Sequence, residues 1–138
     1  MPSMLVVDAN VLFSFFKYNS ERRRLIELLF MSDVKLFTPS FAFRELLSDK
    51  QRIMKFSRIN EVTFAYLFSL LEKVIEQFSK SSWEHLLNDA SKLSPHEKDN
   101  PYFALALLLN SSIWSDEKAF KEQSNVVVYS TSDLFRVF

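Results

Sequence analysis

The chain has 138 residues, and its 17 lysines and arginines are balanced by 17 aspartates and glutamates. Zero net charge argues against a general polycationic nucleic-acid binder. The absence of both cysteine and glycine excludes disulfides, thiolate metal sites and glycine-rich phosphate-binding loops. With only two histidines, any metal site must rely on aspartate and glutamate oxygens. The length predicts a single domain over residues 1–138.

No segment has the pattern of a leader peptide or a membrane span. The N-terminus lacks the basic and then apolar arrangement of a signal peptide. The longest apolar stretches, 62–71 and 102–109, are shorter than the roughly 18 residues that a spanning helix needs. The sequence therefore predicts a cytoplasmic protein with no membrane partner.

Taken in chain order, short apolar runs rich in β-branched residues predict four strands. They cover residues 4–8, 34–37, 112–115 and 126–129. Helices are predicted over residues 9–18, 21–31, 40–47, 61–78, 81–92, 101–109 and 118–122, with a last turn capped by Ser132 or Asp133. The basic, weakly patterned segment 50–58 is predicted to be mobile. Strands that alternate with helices indicate an α/β fold with a parallel sheet covered on both faces.

Several helix ends carry recognisable signals. Ser20, Ser40 and Asn60 each precede a helical pattern, where a short polar side chain can accept a hydrogen bond from the first turn. Pro101 suits the start of a helix because its missing N–H is not needed there. Asn110 follows a helix and can adopt the left-handed conformation for which glycine is the usual residue.

Five acidic residues stand where a parallel sheet gathers its functional groups, at the carboxyl ends of its strands. Asp8 ends the first strand, and Asp116 and Glu117 follow the third. Asp99 precedes the helix that begins at Pro101, and Glu45 lies one turn into the helix after the second strand. Each acid alone is more simply explained as a helix cap or a solvated helix residue. Their common position on one edge favours a joint site.

A joint site of this kind predicts a divalent cation. Several carboxylates repel one another and raise the pKa of at least one of them, and a cation removes that penalty. Oxygen ligands suit Mg²⁺ or Mn²⁺. Such an ion can orient a water and stabilise the displacement at a phosphodiester. Asn10, two residues after Asp8, can hold a carboxylate or a bound water.

The order of these motifs resembles the PIN domain family over essentially the whole chain. The four matching segments are Val6-Val-Asp-Ala-Asn-Val-Leu12, Phe37-Thr-Pro-Ser-Phe-Ala-Phe-Arg-Glu-Leu46, Asp99-Asn-Pro-Tyr-Phe-Ala-Leu-Ala-Leu107, and Ile113-Trp-Ser-Asp-Glu-Lys-Ala-Phe120 with the strand after it. No single motif is specific, but four in register are. The most similar members are small single-domain prokaryotic proteins of the VapC-like kind.

The resemblance implies a three-layer α/β/α sandwich around a mainly parallel sheet of four to five strands. It implies a Mg²⁺- or Mn²⁺-dependent endoribonuclease that acts on RNA, often as a homodimer and often as the toxin partnered by an antitoxin protein. Carried over position by position, the catalytic acids are Asp8, Glu45, Asp99 and Glu117. The metal ligands are drawn from Asp8, Asp99, Asp116 and Glu117, because the fourth motif leaves Asp116 and Glu117 as alternatives. Asn10 and Ser115 support the site.

A basic segment close to Glu45 in sequence is a candidate RNA contact. It contains Lys50, Arg52, Lys55 and Arg58. An acidic site that binds a polyanion needs cations beside it. The alternative is that these residues serve only solubility. A second basic run at residues 22–24 has the same two interpretations.

Three departures from the family pattern motivate a different function. Glu117 replaces the shorter aspartate, Lys98 stands where a further acid is frequent, and Ala119 stands where another is common. The alternative to a nuclease is therefore a catalytically degenerate module that binds RNA or a protein. A phosphoryl-transfer enzyme is less favoured, because Asn10 replaces the second aspartate of its motif. Tyr66 and Leu70, if exposed on the helix over residues 61–78, indicate a partner surface.

Overall fold

The computed structural model describes residues 1–138 and contains a five-stranded, all-parallel sheet in the order β3-β2-β1-β4-β5. Its strands are β1 (Met4–Val7), β2 (Lys35–Pro39), β3 (Ile75–Phe78), β4 (Ser112–Trp114) and β5 (Val128–Tyr129). The predicted α/β class with a parallel sheet is confirmed.

Nine α-helices and three short 3-10 helices connect the strands. The α-helices are α1 (Ala9–Ser14), α2 (Glu21–Met31), α3 (Ser40–Ser48), α4 (Lys50–Ser57), α5 (Glu61–Val74), α6 (Lys80–Trp83), α7 (Leu87–Ser91), α8 (Asn100–Leu109) and α9 (Thr131–Val137). The 3-10 helices are Glu84–Leu86, Glu97–Asp99 and Lys118–Glu122. None of these helices is both long and apolar enough to cross a membrane.

Two apolar cores flank the sheet and make the fold three-layered. Successive residues of a strand point to opposite faces. In β1, Leu5 and Val7 therefore pack with α1 to α5, whereas Val6 packs with α8 on the other side. Trp114 and Ile113 of β4 divide between the two cores in the same way. The predicted α/β/α sandwich is confirmed.

The strand order places a topological switch point between β1 and β4. The chain builds from β1 outward through β2 to β3, then crosses to the other side of β1 to form β4 and β5. At this point the Asp8 amide donates to the Trp114 carbonyl over 3.0 Å. Ligand sites in open parallel sheets lie at such points, outside the carboxyl ends of the strands.

The helix-end predictions are confirmed in three places. The side chain of Ser20 accepts from the Arg23 amide, and Asn60 caps α5 through the Thr63 amide. Asn110 ends α8 in the left-handed conformation, with φ of 51°. Serine and asparagine are among the preferred N-cap residues, and Asn110 takes the position at which glycine is usual.

The prediction that segment 50–58 is mobile is wrong, because residues 50–57 form helix α4 and Arg58 ends it in the left-handed conformation. Its basic residues lie outward while Ile53 is buried against the larger core, and Ser57 is buried as well. The apolar pattern of this segment is too short to predict a helix. A short helix of this kind is stabilised mainly by packing against its neighbours.

The helix predicted over residues 61–78 is also wrong in its second part. It ends at Val74, and residues 75–78 form β3, paired in parallel with β2. Ile75 and Phe78 are three residues apart. Residues with this spacing lie on the same face of a helix but on opposite faces of a strand. In the fold they occupy opposite cores, Ile75 in one and Phe78 at the edge of the other.

Three smaller corrections concern helix boundaries. Pro39 occupies the N-cap position of α3, so Ser40 is its first helical residue. A 3-10 helix at Glu84–Leu86 interrupts the helix predicted over 81–92. The C-terminal turn is the full helix α9, which Ser130 caps in a reciprocal capping box with Asp133.

Candidate active site

Asp8 lies at the switch point with its carboxylate buried. It occupies the N-cap position of α1, but its side chain makes no capping hydrogen bond, and its exposed fraction is 4%. Instead, Ser115 after β4 donates its hydroxyl to Asp8 Oδ2 over 2.9 Å. The Glu117 amide donates to the same Ser115 oxygen over 3.1 Å. The first and fourth motifs are therefore joined directly.

Burial gives Asp8 an unusual acidity. It raises the pKa of this carboxyl from 3.8 to about 6, against the opposing effect of the Ser115 hydrogen bond. The negative charges of Asp99 and Glu117 raise that pKa further. Three acids from separate segments thus influence one another electrostatically.

Asp99 lies at the start of α8, on the other face of the sheet from α1. It ends the 3-10 helix before α8 and is buried, but like Asp8 it makes no side-chain capping bond. Burial raises its pKa, and the Glu117 charge adds to this, while Lys98 and His96 act in the opposite direction. Lys98 is therefore a local counter-charge to this acid.

Glu117 and Asn10 form the polar link across the opening between β1 and β4. Asn10 Nδ2 donates to Glu117 Oε1 over 3.1 Å. Both side chains are exposed, unlike Asp8 and Asp99. Asn10 thus holds a carboxylate, one of the two roles that its position two residues after Asp8 suggested.

Glu45 lies on α3, exposed and without an ion pair. Its charge raises the pKa of the buried Tyr102 hydroxyl, as do the charges of Asp8 and Asp99. The pairing with Arg44 or Lys50 that a solvated helix residue would make is absent, since Lys50 pairs with Glu61 instead.

Asp116 belongs to a different network from its neighbour Glu117. Its carboxylate accepts from the amide and hydroxyl of Thr131, over 2.7 and 2.6 Å, and pairs with Arg22 over 2.9 Å. Burial alone would raise the pKa of Asp116, but these hydrogen bonds and the Arg22 charge outweigh it and lower the pKa. Both oxygens of Asp116 are therefore engaged in tying β4 to α2 and α9.

One comparison identifies the family of the chain. The family model of the PIN domain matches residues 6–127. The chain belongs to the PIN domain family. No individual curated protein matches it. The PIN domain is a nuclease-type fold whose members typically use divalent metal ions, and the matched residues span the segments that carry all five acids.

The donor set of this PIN domain suits a cation that keeps part of its water shell. No three of its histidine, aspartate and glutamate side chains converge closely enough to form a complete set of protein ligands. Mg²⁺ commonly binds through one or two carboxylates and retains several waters. The available donors are oxygen atoms, and Asp8 and Asp99 both have a raised pKa. The buried hydroxyl of Tyr102 has no hydrogen-bond partner. These features fit such an ion.

The basic segment of this PIN domain forms the exposed side of α4. Lys50 pairs with Glu61, and Arg52 pairs with Asp49. Lys55 and Arg58 are exposed and make no ion pair. Beside α4 lies a cavity of about 220 Å³ that is lined by Phe13, Ser14, Lys17, Arg52, Ile53, Phe56 and Ser57.

Two residues at this site, Tyr102 and Arg22, have no clear signal in the sequence. Tyr102 lies in an apolar stretch and in the third family-like segment without a predicted role of its own, although its position three residues after Asp99 at the start of a helix puts both on one face. Arg22 was considered only as part of a basic run, whereas it pairs with Asp116. Its neighbour Arg23 donates to the Phe15 carbonyl, so the run does not act as a single patch.

Proposed function

We propose that this PIN domain is a Mg²⁺- or Mn²⁺-dependent endoribonuclease that hydrolyses RNA phosphodiester bonds. The observation that carries the proposal is the Asp8 carboxylate, buried at the switch point beside the charges of Asp99 and Glu117. Burying a carboxylate beside like charges is unfavourable for folding. A cation that binds there supplies the compensating charge.

In this proposal one or two of the carboxylates of Asp8, Asp99 and Glu117 would hold the ion, and waters would complete its shell. The contacts of Asp116 to Arg22 and Thr131 favour Glu117 over Asp116 as the acid of the fourth motif. When bound, the ion would activate a water and stabilise charge on the phosphodiester. Ser115 and Asn10 orient the carboxylates through their hydrogen bonds. Glu45, exposed on α3, can accept a proton from a water beside it.

The RNA would run along α4. Its phosphates need cations that are not already neutralised, and Lys55 and Arg58 are in that state. Lys17, in the cavity wall between α1 and α4, extends the same surface towards the helix that starts after Asp8. Phosphate contacts of this kind position a nucleic acid without reading its sequence.

A cleavage assay tests the proposal. Mixed structured and single-stranded RNA is incubated with Mn²⁺, with Mg²⁺ and with EDTA, beside Asp8→Asn and the control Asp33→Asn. Asp33 has φ of 62°, a conformation that asparagine tolerates, and precedes β2 at the opposite edge of the sheet. We expect metal-dependent cleavage by the wild type and the control, and none by Asp8→Asn.

Cleavage that survives in Asp8→Asn would contradict the proposal. RNA binding that persists in EDTA, with no cleavage under any condition, would favour the degenerate binding module instead. Lys98, which counteracts the raised pKa of Asp99, is the feature that motivates this second outcome.

A toxin role, an antitoxin partner and a homodimer stay predictions of the family resemblance. Tyr66 is 63% exposed on α5. It lines a second cavity, separate from the one beside α4, together with the exposed side chains of Phe30 and Met31. Leu70 is half-buried at that position. Light scattering across a concentration series would establish whether the chain dimerises.

A further inference from the structure

Tyr102 carries the one buried side-chain polar atom in the chain that has no hydrogen-bond partner. The residue is 3% exposed, in the first turn of α8, and its ring packs edge-on against Phe41 with centroids 5.7 Å apart. A buried hydroxyl without a partner destabilises a fold, and phenylalanine would pack equally well. An unpaired group of this kind therefore calls for an explanation in function.

The hydroxyl of Tyr102 is buried near the start of α1, where the backbone of Ala9, the residue after Asp8, acts on it. Asp8, Glu45 and Asp99 all act on it electrostatically, and Asp8 has the largest effect of the three. Burial raises the pKa of Tyr102 well above 10, and the three carboxylates raise it further, while the Ala9 backbone lowers it. The phenol therefore stays protonated at neutral pH, and it can only serve as a hydrogen-bond donor to a carboxylate.

We propose that Tyr102 is a positioning residue, whose hydroxyl would donate to the Asp8 carboxylate when a divalent cation is bound at the site. The inference rests on the proposed metal-dependent function. Ser115 already donates to Asp8 Oδ2 from the end of β4. A second donor from α8 would fix the plane of the carboxylate from the other layer. Partners of this kind orient metal ligands, and their loss typically weakens metal binding.

The substitution Tyr102→Phe tests this inference, because it removes only the hydroxyl. Tyr66→Phe on the exposed side of α5 is the matched control. In EDTA we expect the Tm of Tyr102→Phe to equal that of the wild type or to exceed it by about 2–4 °C, because an unpaired buried hydroxyl is removed. A hydroxyl with a purely structural partner would instead lower the Tm.

Calorimetric titration with Mn²⁺ gives the second measurement. We expect Tyr102→Phe to bind Mn²⁺ about tenfold more weakly than the wild type, the usual loss for a group that orients a ligand. Tyr66→Phe should bind as the wild type does. The rise in Tm on adding Mn²⁺ should shrink in Tyr102→Phe alone.

Three outcomes overturn the inference. If Tyr102→Phe binds Mn²⁺ as tightly as the wild type, Tyr102 does not position the site, while the proposed nuclease function is unaffected. If its Tm falls in EDTA, the hydroxyl has a structural partner. If the wild type itself binds no Mn²⁺, the metal-dependent function and this inference both fail.

Discussion

At the level of single residues, the buried carboxylate of Asp8 opposes folding. Its pKa is about 6 in the folded chain, against 3.8 for the ordinary carboxyl. A raised pKa means that the folded state prefers the protonated form, so the contribution of Asp8 to stability is highest below about pH 4 and is lost as pH rises to about 6. The free-energy difference is about 3 kcal/mol once the group is fully ionised.

We therefore expect Asp8→Asn, measured in EDTA, to be more stable than the wild type by up to about 3 kcal/mol near pH 8. The difference should nearly vanish at about pH 3, because Asp8 is then largely protonated in both the folded and the unfolded state. Urea unfolding at a series of pH values measures it, with Asp33→Asn as the control. A difference independent of pH would show that the asparagine acts through packing rather than charge.

The adjacent acids Asp116 and Glu117 offer a matched comparison. Asp116→Asn loses its ion pair with Arg22, so we expect a loss of about 1 kcal/mol in unfolding free energy and retained cleavage. Glu117→Gln keeps an acceptor for Asn10 and relieves the repulsion on Asp8 and Asp99. It should keep its stability and lose more than about tenfold in cleavage.

Thermal unfolding and the cleavage assay together check this pair of variants. If Asp116→Asn abolishes cleavage at unchanged stability, Asp116 is the metal ligand that the fourth motif allowed. The side chains of adjacent residues after a strand point in different directions. The sequence does not show which of the two faces the site, so Asp116 and Glu117 could not be distinguished from it. Only the contacts of Asp116 to Thr131, which follows β5, separate them.

At the level of elements, α4 presents the cations that the proposed RNA contact needs. Each phosphate contact to a single strand adds about 0.7 to the slope of log affinity against log salt concentration. We expect the double variant Lys55→Gln with Arg58→Asn to lower that slope by about 1.4 and to weaken binding. Asparagine suits position 58, which has φ of 57°.

Fluorescence anisotropy with a single-stranded oligoribonucleotide in EDTA measures the slope. The matched control is Lys35→Gln with Lys73→Gln, which removes two cations near the amino ends of β2 and β3. Equal slopes for the two double variants would mean that α4 makes no specific contribution to RNA binding.

Elements with strong end signals could be predicted well, and elements without them could not. Helix α2 lies at its predicted bounds because Ser20 and an uninterrupted apolar pattern define it. The boundary between α5 and β3 has no such signal. Val74 and Ile75 suit either structure, and pairing with β2 decides the outcome. That pairing is a long-range contact, which overrides local propensity.

At the level of the whole molecule, the fold brings together acids that are far apart in sequence. Asp8 follows the central strand, Asp99 comes from the layer of α8, and Glu45 comes from α3 on the other face. The sequence could predict their common edge, because parallel strands end together. It could not predict Tyr102, because an unpaired hydroxyl is recognisable only once its surroundings are known.

This assembly predicts that metal binding and global stability are linked. A cation that binds only the folded arrangement stabilises it by RT ln(1 + [L]/Kd), about 2.7 kcal/mol at a hundredfold excess over Kd. We expect Mn²⁺ to raise the Tm of the wild type by several degrees above its value in EDTA, about 2–4 °C for each kcal/mol. Asp8→Asn should start from a higher Tm in EDTA but gain little from Mn²⁺, because it has lost both the repulsion and a ligand. Asp33→Asn should respond as the wild type does, and an equal Mn²⁺ shift in Asp8→Asn would place the ion elsewhere on the molecule.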